Sequence, residues 1–310
     1  MTALTTDVSR NDSAFVSGFV ALVGRPNVGK STLMNRMVGS KVSIVSEKPQ
    51  TTRNIIRGVV NGEGYQIVLV DTPGIHKPHH RLGTMMVSRA RKALADIDVV
   101  LFLVDSSAQI GGGDRYIAEE LSQIESPVIL CLNKIDLVES SRRNELLAEA
   151  STLGPFLGPK TLSAVTGEGI DELLATLVSL LAPGPMYYPE GMVSDSPEQF
   201  IVGEIIREKV LQLTEQEVPH SVVVEVESMS EREDKPLLDI AANIYVERLS
   251  QKGIVIGAGG RLLKEIGTRA RLELEDLFNC KVNLQLWVKH KENWRKDERA
   301  LRRFGYYESE

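Results

Sequence analysis

The sequence predicts an α/β chain built of two units: a mostly parallel sheet with one antiparallel strand pair and helices on both faces, then a smaller α+β unit. Three observations carry this expectation. Apolar strand-like runs alternate with helical runs from residue 19 to residue 181, the pattern of a layered sheet. A glycine-rich loop stands between the first strand and the first helix. After a stretch at 182–199 that is rich in Pro, Gly and Ser, the order of elements changes.

The first strand, 19–23, runs into Gly24, Arg25, Pro26, Asn27, Val28, Gly29, Lys30 and Ser31, with Thr32 next. This is a complete G-x-x-x-x-G-K-S loop opening a helix at 31–38, the context in which that pattern binds phosphate. Glycines let consecutive backbone N–H groups turn toward phosphate oxygens, and the helix N-terminus adds positive potential. Lys30 is placed to reach the β- and γ-phosphates, and the Ser31 hydroxyl to ligate Mg2+. The plain alternative is an ordinary glycine turn before a helix, and the motifs that follow argue against it.

Runs 55–60 and 65–70 are joined by Asn61-Gly62-Glu63-Gly64, a hairpin signal that supplies the antiparallel pair. The second run ends in Asp71, Thr72, Pro73 and Gly74. A carboxylate at a strand end beside the phosphate loop can hold Mg2+ through water, and Gly74 lets a backbone N–H approach a γ-phosphate. Between the first helix and the hairpin lies Gln50-Thr51-Thr52-Arg53-Asn54. A threonine hydroxyl there completes the metal shell only when a γ-phosphate is present, and so senses it. Position favours Thr52, with Thr51 as the alternative. Ser31, Thr52 and, through water, Asp71 are the predicted metal ligands.

Residues 99–104 read as a buried strand and 128–132 as another, the latter ending in Asn133, Lys134, Ile135 and Asp136. A carboxylate accepts two hydrogen bonds side by side. Guanine offers N1–H and its 2-amino group as a matching pair, and adenine does not. A buried Asp136 left unpaired by adenine would reject it. Leu162, Ser163 and Ala164 then offer a backbone N–H toward guanine O6. Helices are predicted over 83–95, 115–124, 141–151 and 169–181, which places the main motifs at the carboxyl ends of strands. These elements, in this order, define a guanine-nucleotide site. Lys30, Thr52, Gly74 and Asn27 are the residues nearest its chemistry.

The 310 residues fit two domains, and 42% hydrophobic content fits a globular chain. No apolar run reaches the roughly 18 residues of a membrane span. Residues 1–17 are polar, without a signal core, and are expected to be a disordered leader. Cys131 lies in an apolar strand and Cys280 has no C-x-x-C partner, which fits a reducing compartment. The formal charge of −6 argues weakly against nucleic acid as a partner. However, residues 281–303 carry eight basic and three acidic side chains, a local charge of +5.

After the 182–199 stretch, a helix is expected at 201–213, strands at 221–226 and 241–248, a long helix at 262–278 and a third strand at 281–288. Gly257, Ala258, Gly259 and Gly260 form a G-x-x-G loop between helical segments, followed by Arg261 and Lys264. Such a loop can approach a single-stranded sugar-phosphate backbone without side-chain clash, while bases lie across an apolar groove. Val255, Ile256 and Ile266 are expected to line that groove. A lone G-x-x-G is most often a helix-to-helix turn. The order helix–strand–strand–helix–loop–helix–strand, that of a bacterial-type KH domain, and the basic tail with Arg302 and Arg303 argue for RNA. Core packing is the expectation for Trp287 and Trp294.

A P-loop GTPase unit with Gln-Thr-Thr-Arg in the first switch, linked to a C-terminal KH-type unit, resembles the Era family. The resemblance covers nearly the whole chain from Phe15, including its ending Trp294-Arg295-Lys296-Asp297-Glu298-Arg299-Ala300-Leu301. It implies an α/β P-loop GTPase domain at 15–182, a linker at 183–199 and a type II KH domain with a basic tail at 200–310, after a leader at 1–14. It also implies hydrolysis of GTP to GDP and phosphate, binding of 16S ribosomal RNA near its 3′ end, and a role in maturation of the small (30S) ribosomal subunit. The implied location is the cytoplasm, with part of the pool peripherally on the cell membrane; a monomer is expected.

Many GTPases place a Gln directly after Asp-x-x-Gly to orient the attacking water. Here that position is Ile75, as in the Era family, so slow intrinsic turnover is expected. Asn27 is placed to ligate a monovalent cation, K+, near the β/γ bridge, as in related potassium-stimulated GTPases; the alternative is a loop-closing side chain. His76, His79 and His80 are interrupted by Pro78 and read as a mobile switch rather than a metal site. Gly111-Gly112-Gly113 reads as a flexible connection. The competing function is a signalling GTPase whose C-terminal domain recruits a protein or membrane partner.

Overall fold

The computed structural model describes residues 14–48, 51–73, 82–86, 88 and 96–306. Residues 1–13 of the expected leader, together with Gln50, Gly74, Ile75 and the three histidines at 76–80, lie outside the described residues, whereas Val16 and Ser17, expected in the leader, open the first strand. Of the helix expected at 83–95, residues 83–86 and 88 are described, and they are helical.

The first unit runs β1 (Val16–Gly24), α1 (Lys30–Val38), β2 (Ile56–Gly62), β3 (Tyr65–Asp71), β4 (Val99–Asp105), α2 (Gly112–Leu121), β5 (Val128–Asn133), α3 (Arg143–Ala150), β6 (Leu157–Thr161) and α4 (Ile170–Leu180). Its six strands are ordered β2-β3-β1-β4-β5-β6. Only the hairpin pair β2–β3 is antiparallel; the other four pairings are parallel. Alternate residues of the central strands feed two cores. Val20, Leu22, Leu101 and Leu103 pack with Leu33 and Met34 of α1 and Leu173 and Leu177 of α4. Ala21, Val23, Val100 and Phe102 pack on the other face with Ile117 and Leu121 of α2 and Leu146 of α3. Burial on both faces is why these strands read as continuous apolar runs.

β6 has no expected counterpart: it contains Gly158-Pro159, which is tolerated because β6 is the sheet's edge strand, where a missing N–H breaks little. The glycines at 111–113 are not a flexible connection, since Gly112 and Gly113 form the first turn of α2. Asp114 holds that turn by accepting from Gly111 N–H at 2.9 Å, and its other oxygen accepts from Arg25 Nε at 2.8 Å. A Cβ on Gly113 would stand 2.7 Å from Arg25 Cδ, so the glycine makes room for that arginine.

The 182–199 stretch is laid along the first sheet. Val59 N–H donates to Val193 O at 2.9 Å, Ser194 Oγ to Arg57 O at 2.8 Å, and the buried Gln66 amide accepts from Tyr187 and Tyr188 N–H. This covers the free edge of β2, which would otherwise expose unpaired backbone groups.

The second unit runs α5 (Glu198–Leu213), one turn α6 (Val218–Ser221), β7 (Val223–Glu231), β8 (Leu237–Val246), α7 (Leu249–Ile256), α8 (Arg261–Phe278), β9 (Lys281–His290) and α9 (Glu298–Arg303). β7 is antiparallel and β9 parallel to the central β8. Ile240, Ala242, Ile244 and Val246 face a core closed by α5, α7 and α8. The opposite face presents Val223 and Tyr245, which pack with Trp294 and with Ala300 and Leu301 of α9, and with Leu82 and Met86 from the first unit.

Candidate functional site

The end of β1 turns into the phosphate loop, and three backbone positions there have positive φ: Gly24 at 155°, Asn27 at 65° and Gly29 at 100°. Lys30 closes the loop on itself. Its Nζ donates to Gly24 O at 3.0 Å and to Arg25 O at 2.9 Å. Burial pushes the Lys30 ammonium down to about 8, with the Asp71 carboxylate opposing. Pro26, Asn27, Ser31, Thr32 and Thr52 line the cleft above it.

Ser31, at the start of α1, meets Asp71, at the end of β3. Asp71 Oδ2 accepts from Ser31 Oγ at 2.7 Å, from Ser43 Oγ at 3.1 Å and from Thr52 Oγ1 at 3.3 Å, while the Ser31 and Thr52 hydroxyls are 3.0 Å apart. Ser43 was not legible as part of this cluster. Asp71 Oδ1 is buried with no hydrogen-bond partner among the described residues. Burial raises the Asp71 pKa, against Lys30 and the three hydroxyls. An orphaned buried carboxylate oxygen beside two converging hydroxyls is a donor set suited to a hard cation with oxygen ligands. Thr72 Oγ1 ties the adjoining turn to Leu22 O at 3.0 Å, and Pro73 beside it is buried. Thr51, the alternative ligand, donates its hydroxyl to Lys48 O instead.

At the far side of the cleft, Asn133 works as a brace. Its Nδ2 donates to Val28 O at 2.7 Å, and its Oδ1 accepts from Ala164 N–H at 3.0 Å. Ser163 N–H donates to Glu168 O. The Ala164 N–H, one of those offered to guanine O6, is therefore also a structural donor, so a guanine contact there shares or replaces the Asn133 bond. Lys134 has φ 66° and its Nζ reaches Asp105 Oδ2 at 2.6 Å. Ile135 is buried, whereas Asp136, expected to be buried, is exposed on the turn that follows. A carboxylate on a turn tip stays solvated until a base covers it.

In the second unit the G-x-x-G loop has positive φ at Gly257, Gly259 and Gly260. A Cβ on Gly257 would lie 2.7 Å from Leu262 Cβ, whereas Gly259 and Gly260 face open space. Ala258, Arg261 and Lys264 are exposed. The groove beside the loop is lined by Leu263, Lys264, Gly267, Arg271, Leu284 and Leu286. Val255 and Ile266, expected in that groove, are fully buried in the core behind it. Gly267, in the middle of α8, also lines the groove, and a Cβ there would make only an ordinary contact with Leu286 Cδ1 at 3.5 Å.

Arg302 and Arg303 do not join this groove. They lie on α9, which packs on the sheet face opposite α7 and α8. Arg303 is bound by Glu225 through Nε at 2.7 Å and Nη2 at 2.6 Å and stacks over Tyr245. Arg295 is likewise held by Glu247, and Lys281 by Glu275. Much of the tail's positive charge is therefore paired, which composition alone does not reveal. Trp294 is core, fully buried with Nε1 donating to Ser221 O, whereas Trp287 is exposed on the sheet.

A P-loop sheet carrying guanine-type motifs, joined to an α-β-β-α-α-β unit with a G-x-x-G loop, defines a GTPase with a KH domain. The family pattern described as 50S ribosome-binding GTPase matches residues 19–134, and the KH domain pattern matches residues 217–295. The GTPase Era of Alkaliphilus oremlandii is 51% identical over 292 residues, covering 94% of this chain and 99% of that protein. The GTPase Era of Caldanaerobacter subterraneus subsp. tengcongensis is 50% identical over 94% of this chain and 98% of that protein. Among solved structures, a point variant of Aquifex aeolicus Era bound to GDP.AlF4- superposes with a TM-score of 0.90 at 39% identity, covering 94% of this chain and 99% of that one. Era in complex with MgGDPNP and nucleotides 1506–1542 of 16S ribosomal RNA gives a TM-score of 0.91 at the same identity and coverage. The chain belongs to the Era family of GTPases.

Proposed function

We propose that this GTPase is a switch that binds 16S ribosomal RNA near its 3′ end and assists maturation of the small ribosomal subunit. The observation that carries the reading is the pairing of two sites in one chain. One is a phosphate loop with Ser31, Thr52 and Asp71 gathered at its mouth. The other is a G-x-x-G loop opening on a groove of leucines edged by Lys264 and Arg271. The Era structure with MgGDPNP and a 16S fragment, a relative of the same architecture, supports both assignments. The full chain, purified and crosslinked to total ribosomal RNA, should yield crosslinks at the groove residues concentrated near the 16S 3′ end. Crosslinks scattered over all RNA, or absorbance at 260 nm never above that of protein alone, would favour a protein or membrane partner instead.

Mg2+ fits the nucleotide site, where it supplies the positive charge that holds β- and γ-phosphate oxygens when bound. Ser31 and Thr52 would hold it directly and Asp71 through water. Lys30 binds the same phosphates, and the backbone at 27–32 surrounds them. With Ile75 unable to orient water, turnover is slow. Asn27 would serve a K+ ion by turning its amide: here Nδ2 donates to Glu47 O at 2.5 Å, and the flipped amide would offer Oδ1 to the cation instead. The protein works as a cytoplasmic monomer that also touches the membrane surface. No helix among the described residues is long and apolar enough to cross a membrane.

A further inference from the structure

Thr52 is flanked on both sides by contacts that come from the KH domain. On one side, Arg207 of α5 donates Nη2 to Thr51 O. On the other, Arg53 reaches the opposite way. It donates Nη1 to Val222 O at 2.6 Å and Nη2 to Pro219 O at 3.0 Å and His220 O at 3.3 Å. Each domain thus sends one guanidinium into backbone carbonyls of the other. Both are buried, Arg53 to 4% and Arg207 to 1% exposure. Neither is loose: Glu204 holds Arg207 through Nε at 2.7 Å, and Arg53 lies over the Trp294 ring at 6.0 Å.

The start of the same loop is held by the same helix. Glu208 Oε1 accepts from Val45 N–H at 2.8 Å, and Glu208 Oε2 from Lys41 Nζ at 2.7 Å. Lys41 also meets Glu273 of α8. Between these anchors the Thr52 hydroxyl stands 3.0 Å from Ser31 Oγ and 3.3 Å from Asp71 Oδ2. On one side of Thr52 the Thr51 carbonyl accepts from Arg207, which Glu204 holds in place; on the other, the side chain of the next residue, Arg53, is anchored in KH-domain carbonyls. Withdrawal of the KH domain would release both anchors at once.

We infer that Arg53 and Arg207 are positioning residues, a reciprocal clasp through which the docked KH domain sets Thr52 against the metal site and so gives the GTP state its Mg2+-dependent affinity. The inference rests on the reading of Thr52 as a metal ligand. It makes the KH domain a part of the nucleotide site, and makes any ligand that moves the KH domain a regulator of that site.

The test measures dissociation of a fluorescent, non-hydrolysable GTP analogue and of fluorescent GDP from the full chain, each in excess Mg2+ and in EDTA. Arg53→Lys and Arg207→Lys keep the charge but lose the fork. Each should shrink the Mg2+ effect on the GTP analogue by about tenfold, the size of one charged hydrogen bond, with GDP release changed less than about twofold. Thr52→Ala should show the same loss, and Arg207→Lys added to it should cost nothing more. Lys41→Ala, at the more exposed end of the loop, gives a smaller loss in the same direction and serves if the buried variants do not fold. The clasp is refuted if Thr52→Ala loses the Mg2+ effect while the three basic variants keep it. If Thr52→Ala keeps it too, the ligand assignment falls, and the inference with it, while GDP binding leaves the nucleotide site standing.

Discussion

A Cβ on Gly29 would stand 2.2 Å from Asn133 Nδ2, so the phosphate loop and the guanine-side strand meet through a single glycine. The same amide donates to Val28 O, and its oxygen accepts from Ala164 N–H. Asn133 thus holds three nucleotide-facing segments in one register. Gly29→Ala adds a clash to a backbone held at φ 100°, a conformation that costs an alanine about 1–3 kcal/mol before any contact is counted. Fluorescent GDP affinity should fall at least a hundredfold. Asn133→Ala creates no clash but strips two buried hydrogen bonds, at about 1–3 kcal/mol each, and should lower melting temperature and affinity together. A variant Asn133→Ala with parental melting and affinity would remove the bracing role.

Asp136 is exposed, and that separates its effect on specificity from any effect on folding. Asp136→Asn replaces two acceptors by one acceptor and one donor, which matches xanthine rather than guanine. Stability should change by less than about 0.5 kcal/mol, as for surface substitutions generally. GTP affinity should drop and XTP affinity rise. GTP binding as tight as the parent's would mean that the guanine contact is elsewhere.

Lys30 carries a pH signature. Its folded pKa is pushed down to about 8 from the ordinary 10.5, chiefly by burial. Between those values the unfolded chain keeps a proton that the folded one has released, so Lys30 makes stability rise with pH through this window. Below about pH 8 the charged, buried amine opposes folding in full. Phosphates restore the charge, so GDP binding at about pH 9 should take up a proton, seen by calorimetry in buffers of different ionisation enthalpy. Lys30→Ala should lose productive nucleotide binding. Zero proton uptake in the parent at that pH would show that the amine is already charged.

Asn27 Nδ2 donates to Glu47 O at 2.5 Å, the contact of a loop-closing side chain, and service to K+ would require the amide to turn its oxygen toward the ion. Hydrolysis measured in potassium and sodium salts of equal ionic strength should be faster in potassium, and Asn27→Ala should equalise the two. Equal rates in the parent would leave Asn27 as a loop-closing side chain and nothing more. Absolute turnover in either salt should lie nearer an unassisted ~10⁻⁴ s⁻¹ than the several per second of activated enzymes.

The mostly parallel character of the sheet and the sequence of nucleotide loops were legible because they depend on local signals: apolar runs for strands buried on both faces, and short motifs at their ends. What was illegible depends on contacts between distant segments. Ser43 joins Asp71 across 28 positions, Arg25 pairs with Asp114 across 89, and Arg53 meets Val222 across 169. No pattern in one segment encodes its partner. The groove failed for a related reason. Val255 and Ile266 have the right composition, but helix phase turns them inward, and Leu263, Leu284 and Leu286 face the cleft instead. Charge counting failed because Glu225, Glu247 and Glu275 sit outside or at the margin of the basic stretch they neutralise.

These placements sharpen the RNA prediction. Ala258 is exposed, Gly259 has φ 60° with open space where a Cβ would go, and neither supports the core. Aspartate is among the residues that tolerate the left-handed region, so the double variant Ala258→Asp, Gly259→Asp should fold and bind GTP as the parent does. It puts two negative charges where a phosphate must approach, and binding of a single-stranded 16S 3′ fragment should collapse. Arg303→Glu acts on the opposite sheet face. It breaks the pair with Glu225 and sets like charges together, so its first effect is on stability, by about 1 kcal/mol for a pair in which the arginine is exposed and the carboxylate half-buried. Any loss of RNA affinity from it should be modest and should carry no change in salt slope, because that arginine is already neutralised. If the folded double-aspartate variant binds RNA normally while Arg303→Glu abolishes binding and flattens the salt slope, the tail face is the RNA site and the groove is not.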